Sequence, residues 1–175
     1  MQFELKPISV QNIHQALEKV ERYRLLNEPA LAESICLDIL AVAPDHQRAL
    51  IELLLARTDQ FQDNVQPKGA QEILPQIKGQ YEQAYYAGVI WERLGHARIR
   101  EGHRGALGSA YHSLRDAMSS YEKAIALAPP GNDDAILRWN TCARMIMQHP
   151  QMQPAAENDP HAWVHDEAGS RIADA

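Results

Sequence analysis

The sequence predicts an all-α protein built from helical hairpins, and three observations carry that reading. Apolar residues recur at steps of three and four over successive stretches of about three to four turns each. Aromatic residues make up only 6% of the chain while alanine and leucine are abundant, a mix that favours helix over sheet. The stretches are separated by short segments holding proline, glycine or asparagine, the residues that stop and restart helices.

The first helix runs from Val10 to Leu26, with Val10, Ile13, Leu17, Val20, Tyr23 and Leu26 on one face. Asn27 can adopt a left-handed conformation and close it, and Pro29 suits the first turn of the next. A second helix over 30–42 places Leu31, Ile35, Ile39 and Val42 on one side. Pro44 then breaks the chain, Asp45 is the candidate N-cap, and a third helix follows from Gln47 to Gln60. The polar stretch "DQFQDNVQPKGA" reads as a loop with a short helix after it, ending near Leu74. Pro75 is placed to start a long helix over 76–101. Gly79, Gly88 and Gly95 weaken its propensity and fit sites where helices pack closely. A helix over 106–128 carries Ala110, Leu114, Ala117, Tyr121, Ala124 and Ile125. "APPGNDD" stops it, Asn132 or Asp133 caps the next, and a last helix over 133–147 carries Ile136, Leu137, Trp139, Cys142 and Met145.

The chain divides into an N-terminal extension at 1–9, a helical domain at 10–147 and an acidic tail at 148–175, expected to be mobile apart from a short helix around Pro160–Ala168. The tail holds five acids and one arginine, so −4 of the net −6 lies there. With a pI of about 5.7, the charge argues against nucleic acid or an anionic membrane as partner. No apolar run reaches the ~18–20 residues of a membrane span, and the N-terminus lacks the apolar stretch of a signal peptide. Cys36 and Cys142 lie in apolar helical stretches and read as buried thiols of a reduced, cytoplasmic protein.

A repeat pattern sharpens this. Trp91, Leu94 and Gly95 match W-x2-L-G, and Ala117, Tyr121 and Pro129 match A-x3-F followed by P. Ala32, Cys36, Ile39, Leu40 and Pro44 give an earlier copy of the second half. On these residues the chain resembles the tetratricopeptide repeat (TPR) family over roughly 10–147, with Arg98 where an aromatic is usual and an enlarged hairpin over 76–128. "AMSSYEKAIALAPPGNDDAILRWNTCAR" is similar to stretches of bacterial members without assigned activity. The resemblance implies a short right-handed α-solenoid of about three hairpins plus a C-terminal capping helix. It implies a non-enzymatic adaptor whose first helices line a concave groove for a peptide or protein segment.

Carried over by position, the groove takes Arg48, Ile51, Glu52, Leu55 and Asp59 from the third helix. It takes Val89, Glu92, Arg93, His96, Ile99 and Arg100 from the long helix, and Asp134, Leu137, Arg138 and Thr141 from the last. Arg93, His96 and Arg100 are the expected polar anchors. The family's lysine and asparagine clamp for a terminal carboxylate is missing, since Glu21 and Glu52 stand where neutral or basic residues belong.

The densest basic cluster is Arg93, Arg98, Arg100 and Arg104 with His96 and His103. It reads as a solvated face offset by Glu92 and Glu101, or as a site for an acidic peptide or for the chain's own tail. Without aromatic stacking partners, RNA fits it poorly. His161 and His165 have the i, i+4 spacing of a zinc pair, yet Ala162 stands where a metalloprotease has its general base, so no metal and no cofactor are expected. No nucleophile motif occurs, so the chain reads as no enzyme. The rival readings are a structural homo-oligomer, a homodimer in its simplest form, assembled through the surfaces of Tyr85, Trp91 or Trp139, and more remotely a metal-dependent enzyme using the tail histidines.

Overall fold

The computed structural model describes residues 3–61, 67–102 and 104–152, the last range without the Arg104 side chain. Among them are seven α-helices and no strand: α1 (Ile13–Leu25), α2 (Pro29–Val42), α3 (Gln47–Asp59), α4 (Lys68–Gln71), α5 (Gln80–Glu101), α6 (Arg104–Leu127) and α7 (Asp134–Gln148). No described helix is long and apolar enough to cross a membrane. The expected tail helix, its histidine pair and His103 lie outside the described residues.

The first hairpin follows its local chemistry. Ile13, Leu17 and Val20 of α1 are buried in steps of four and three, facing Ala32, Cys36 and Ile39 of α2. Asn27 has φ 59°. Its N–H bonds the Arg24 carbonyl at 3.0 Å and the Glu28 N–H bonds Tyr23 at 2.8 Å. This Schellman closure satisfies carbonyls at the helix end, and Pro29 opens α2 at once. α3 is buried on several sides, because it packs against α1, α2, α4 and α5. Its N-cap is His46 and not Asp45: the His46 ring Nδ1 accepts the Ala49 N–H at 3.3 Å. The turn after Pro44 carries Asp45 one residue too early for that role.

Only four residues of α4 are helical, but the segment is anchored. Arg57 donates to Glu33 on α2 at 2.9 Å and to the Gly69 carbonyl at 2.7 Å, and Ala70, Ile73 and Ile77 are buried. Pro75 does not begin the long helix. It sits in a 3-10 turn over Leu74–Gln76, and α5 starts at Gln80 after Gly79 at φ 94°, a conformation that side chains with a Cβ resist.

α5 then runs unbroken through Gly88 and Gly95, because both glycines are where α6 comes close. A Cβ on Gly88 would lie 2.4–2.8 Å from the Tyr121 ring, and one on Gly95 3.0 Å from Leu114. The two pairs advance seven residues along α5 and fall back seven along α6, as an antiparallel pair in constant register requires. Ala110, Ala117 and Ala124 repeat at the same seven-residue interval on α6 and are fully buried. Small residues therefore line this seam on both helices.

α5 also divides the core. Ile90 and Ala97 join a cluster built from α1, α2, α3 and the 70–77 segment. Val89 joins a second cluster with α6 and α7, and Leu55 and Tyr86 touch both. Met152 is 4% exposed and belongs to the second cluster, so the packed body runs past the boundary at 147 expected from periodicity.

Gly88→Ala and Gly95→Ala test the seam. Each gains up to about 1 kcal/mol of helix propensity. At Gly88 the pinned Tyr121 ring cannot yield, and overpacking of about 1–3 kcal/mol outweighs that gain. Urea unfolding should show Gly88→Ala clearly destabilised and Gly95→Ala close to the parent.

Candidate functional site

A charged residue in the core register of a helix has to find a partner, and this chain has several. Arg24 follows Leu17 by seven residues, so it shares the buried face of α1. Its side chain is 18% exposed; Nε donates to Asp59 Oδ2 and Nη1 to Glu52 Oε2, both at 2.9 Å. Asp59 takes a second arginine through Oδ1, from Arg93 Nη1 of α5 at 2.8 Å. Arg48 of α3 pairs with Glu21 of α1. Burial alone would lower the Arg24 pKa; the Asp59 and Glu52 carboxylates outweigh it and the value is raised.

Glu92 extends the network to α7. It sits between Gly88 and Gly95 on the seam and is 4% exposed. The Tyr121 hydroxyl donates to its Oε2 at 2.5 Å, and Arg138 Nη1 spans both oxygens at 3.2 Å. Arg138 Nε donates to the Tyr85 hydroxyl at 3.1 Å, and its guanidinium lies 6.0 Å from that ring's centre. Burial works to lower the Arg138 pKa, but Glu92 above all raises it, so the guanidinium stays charged. Burial and the Glu92 charge together raise the Tyr121 pKa, so its proton stays in the bond.

Ion pairs thus link α1 to α3, α3 to α5 and α5 to α7. Where the first three meet lies a cleft of about 570 Å³ lined by Glu21, Arg24, Leu25, Asn27, Asp59 and Arg93. Leu25 stands 88% exposed at its edge. The Arg93 side chain is 35% exposed and only its Nη1 is bonded to Asp59, so its other N–H groups are available to a carbonyl or carboxylate.

The residues expected in a groove divide accordingly. Arg48, Glu52 and Arg93 border or brace the cleft, and Arg138 braces α7. Ile51, Leu55 and Ile99 are partly buried against the core. Arg100, Leu137 and Thr141 are exposed, and the Thr141 hydroxyl donates to the Leu137 carbonyl. Asp134 is exposed at the start of α7. Val89 is a correction: it is fully buried in the second cluster, between the buried Gly88 and Ile90. The basic cluster is a second. Arg93 and Arg100 share a face, but Arg98 turns to α6, donating to the Ser109 carbonyl at 3.0 Å and to the buried Ser113 hydroxyl at 2.6 Å. Nor does Glu92 belong to a solvated face. Tyr85, Trp91 and Trp139 are partly buried against the second cluster, and the Tyr85 hydroxyl accepts from Arg138.

What α1 contributes, Arg24, Leu25 and Asn27, was not among the expected groove residues. Its signal was the register of Arg24 with Leu17. Among the described residues no three His, Cys, Asp or Glu side chains gather as a metal site. Burial pushes the Cys36 and Cys142 thiols up to about 12, so neither is a thiolate at neutral pH. The chain matches no family model, and comparison with curated proteins and with solved structures gives no significant match.

His96 reports on this site through pH. Its Nε2 is buried without a hydrogen bond, 3.8 Å from a Glu92 oxygen already held by Arg138. Burial lowers its pKa, Glu92 opposes that, and Arg93, Arg100 and Arg138 reinforce it. The desolvation outweighs the loose contact with Glu92, so the folded chain favours neutral His96. Its contribution is full above the ordinary value of about 6.5 and is lost as pH falls from there to the lowered folded value. Urea unfolding at pH 7.5 and 5.5 should show a smaller acid loss for His96→Gln than for the parent; equal losses would contradict the assignment.

Proposed function

We propose that the chain is a non-enzymatic adaptor of the TPR type, a short right-handed solenoid that holds a protein or peptide segment along the face formed by α1, α3, α5 and α7. The observation that carries this reading is the cleft at the junction of α1, α3 and α5, bounded by fixed charges of both signs beside an exposed leucine. The buried Ala32, Gly95 and Ala117 support the repeat reading, since each sits where neighbouring helices come close. So does the order of contacts, in which α1 meets α3 and α3 meets α5 as well as their sequence neighbours. The second hairpin departs from the pattern, with four helical residues in α4.

A segment laid in the cleft would set an apolar side chain against Leu25 and offer a carbonyl or carboxylate to Arg93. Because Arg24 and Arg93 already share Asp59, and Arg48 has Glu21, the cleft is near neutral overall. It selects by shape and by single hydrogen bonds rather than by long-range attraction, and the preformed scaffold lowers the ordering cost. A cytoplasmic location fits the two unpaired, buried cysteines.

Photo-crosslinking tests the reading. Benzoylphenylalanine at Leu25, on the cleft edge, should trap a discrete partner in cells, and Arg93→Ala should reduce that product several-fold. The same probe at Leu37, 47% exposed on α2, should give none. Equal products from both positions, or a Leu25 product indifferent to Arg93→Ala, would reject the cleft as a binding site.

A further inference from the structure

The second face of α7 is apolar and, among the described residues, only partly covered. Ile136 and Met147 are 39% and 77% exposed, and Trp139, Ala143 and Ile146, on the same side at about 3.6 residues per turn, are only partly buried against the core. Trp139 is fixed there by its indole N–H, which donates to Glu122 of α6 at 3.0 Å. Arg144 is exposed on the flank of this stripe and has no ion pair among the described residues. Leu137, Arg138 and Thr141 lie around the helix from it, towards the cleft side.

We propose that residues 153–175 of the same chain dock on this stripe, with 153–159 returning along α7 and 160–168 lying back over it, parallel to α7. Chain geometry points to that occupant. The described body ends at Met152, whose side chain is buried in the cluster that α7 also packs on, so the chain leaves at the foot of the stripe. Seven residues separate it from Pro160. Extended, they reach about 23 Å, which matches the roughly 22 Å length of α7 at 1.5 Å per residue. In the sequence Asp159 and Pro160 are start signals for a helix, and Gly169 is a stop signal. Between them Trp163 and Val164 are the large apolar side chains, and Asp166 and Glu167 are the acids to meet Arg144. The segment carries five acids and one arginine against that unpaired cation. Docked there, the tail leaves Leu137, Arg138 and the cleft open. It completes the C-terminal end of the stack instead of competing for the groove, and this does not depend on the adaptor reading.

Hydrogen exchange of the full chain tests it without any partner. The amides of 160–168 should exchange at least about tenfold more slowly than an unstructured chain, and Trp163 emission, isolated by difference against Trp163→Phe, should be that of a shielded indole. Ile136→Glu with Met147→Glu, both at exposed positions, should keep the helical circular dichroism, release the protection and red-shift Trp163. Unstructured-chain rates at 160–168 in the parent would overturn the proposal. So would protection that disappears on dilution in step with a dimer seen by light scattering, since the occupant would then be a second copy.

Discussion

Glu92 is a carboxylate almost out of reach of water, and the way three helices meet follows from it. Taking such a group from water costs several kcal/mol unless its oxygens are bonded. Here Tyr121 of α6 and Arg138 of α7 supply the bonds. Tyr121 can reach it only because Gly88 and Gly95 on either side leave α6 free to approach. One sequence feature, an acid between two glycines seven residues apart, therefore sets the α5–α6 separation and the placement of α7.

Asp59 does the same for α1, α3 and α5. It lies between Arg24 and Arg93 and joins α1, α3 and α5, while the apolar clusters hold the rest of these helices together. Both networks are part-buried and specific in geometry, so they resist screening better than exposed pairs. Their consequence is that Arg24 and Arg138, and one N–H of Arg93, are already engaged inside the fold. Left open where α1, α3 and α5 meet are a near-neutral cleft, an exposed leucine at its edge and further N–H groups of Arg93.

The helices were legible because their apolar residues recur at three and four, and because Asn27 and Pro29 punctuate the chain in the way backbone stereochemistry demands. Two boundaries slipped where neighbouring residues compete for one role. His46 caps α3 in place of Asp45, and Gly79 rather than Pro75 opens α5, because a 3-10 turn keeps Pro75 busy. The site was harder to see. Arg93, Arg98 and Arg100 look like one cluster along the chain, yet five residues of helix turn Arg98 well away from Arg93 and into α6. Val89 falls where α5 is buried on more than one side, with Gly88 against α6 and Ile90 in the first cluster, so no single apolar face marks it as core. The acids paired with Arg24, Arg93 and Arg138 lie 28 to 46 residues away, a distance at which periodicity carries no information. Only a charge in core register, as at Arg24 and Glu92, hints that a partner must exist.

The measurement closest to the centre of this account is a double-mutant cycle between α5 and α7, using Glu92→Gln, Arg138→Met and the pair, read by urea unfolding. The account predicts a coupling of about 1.5–3 kcal/mol, because removing either partner leaves the other half-buried and unmatched. Stability changes that add to within about 0.5 kcal/mol would mean that the two groups do not hold these helices together.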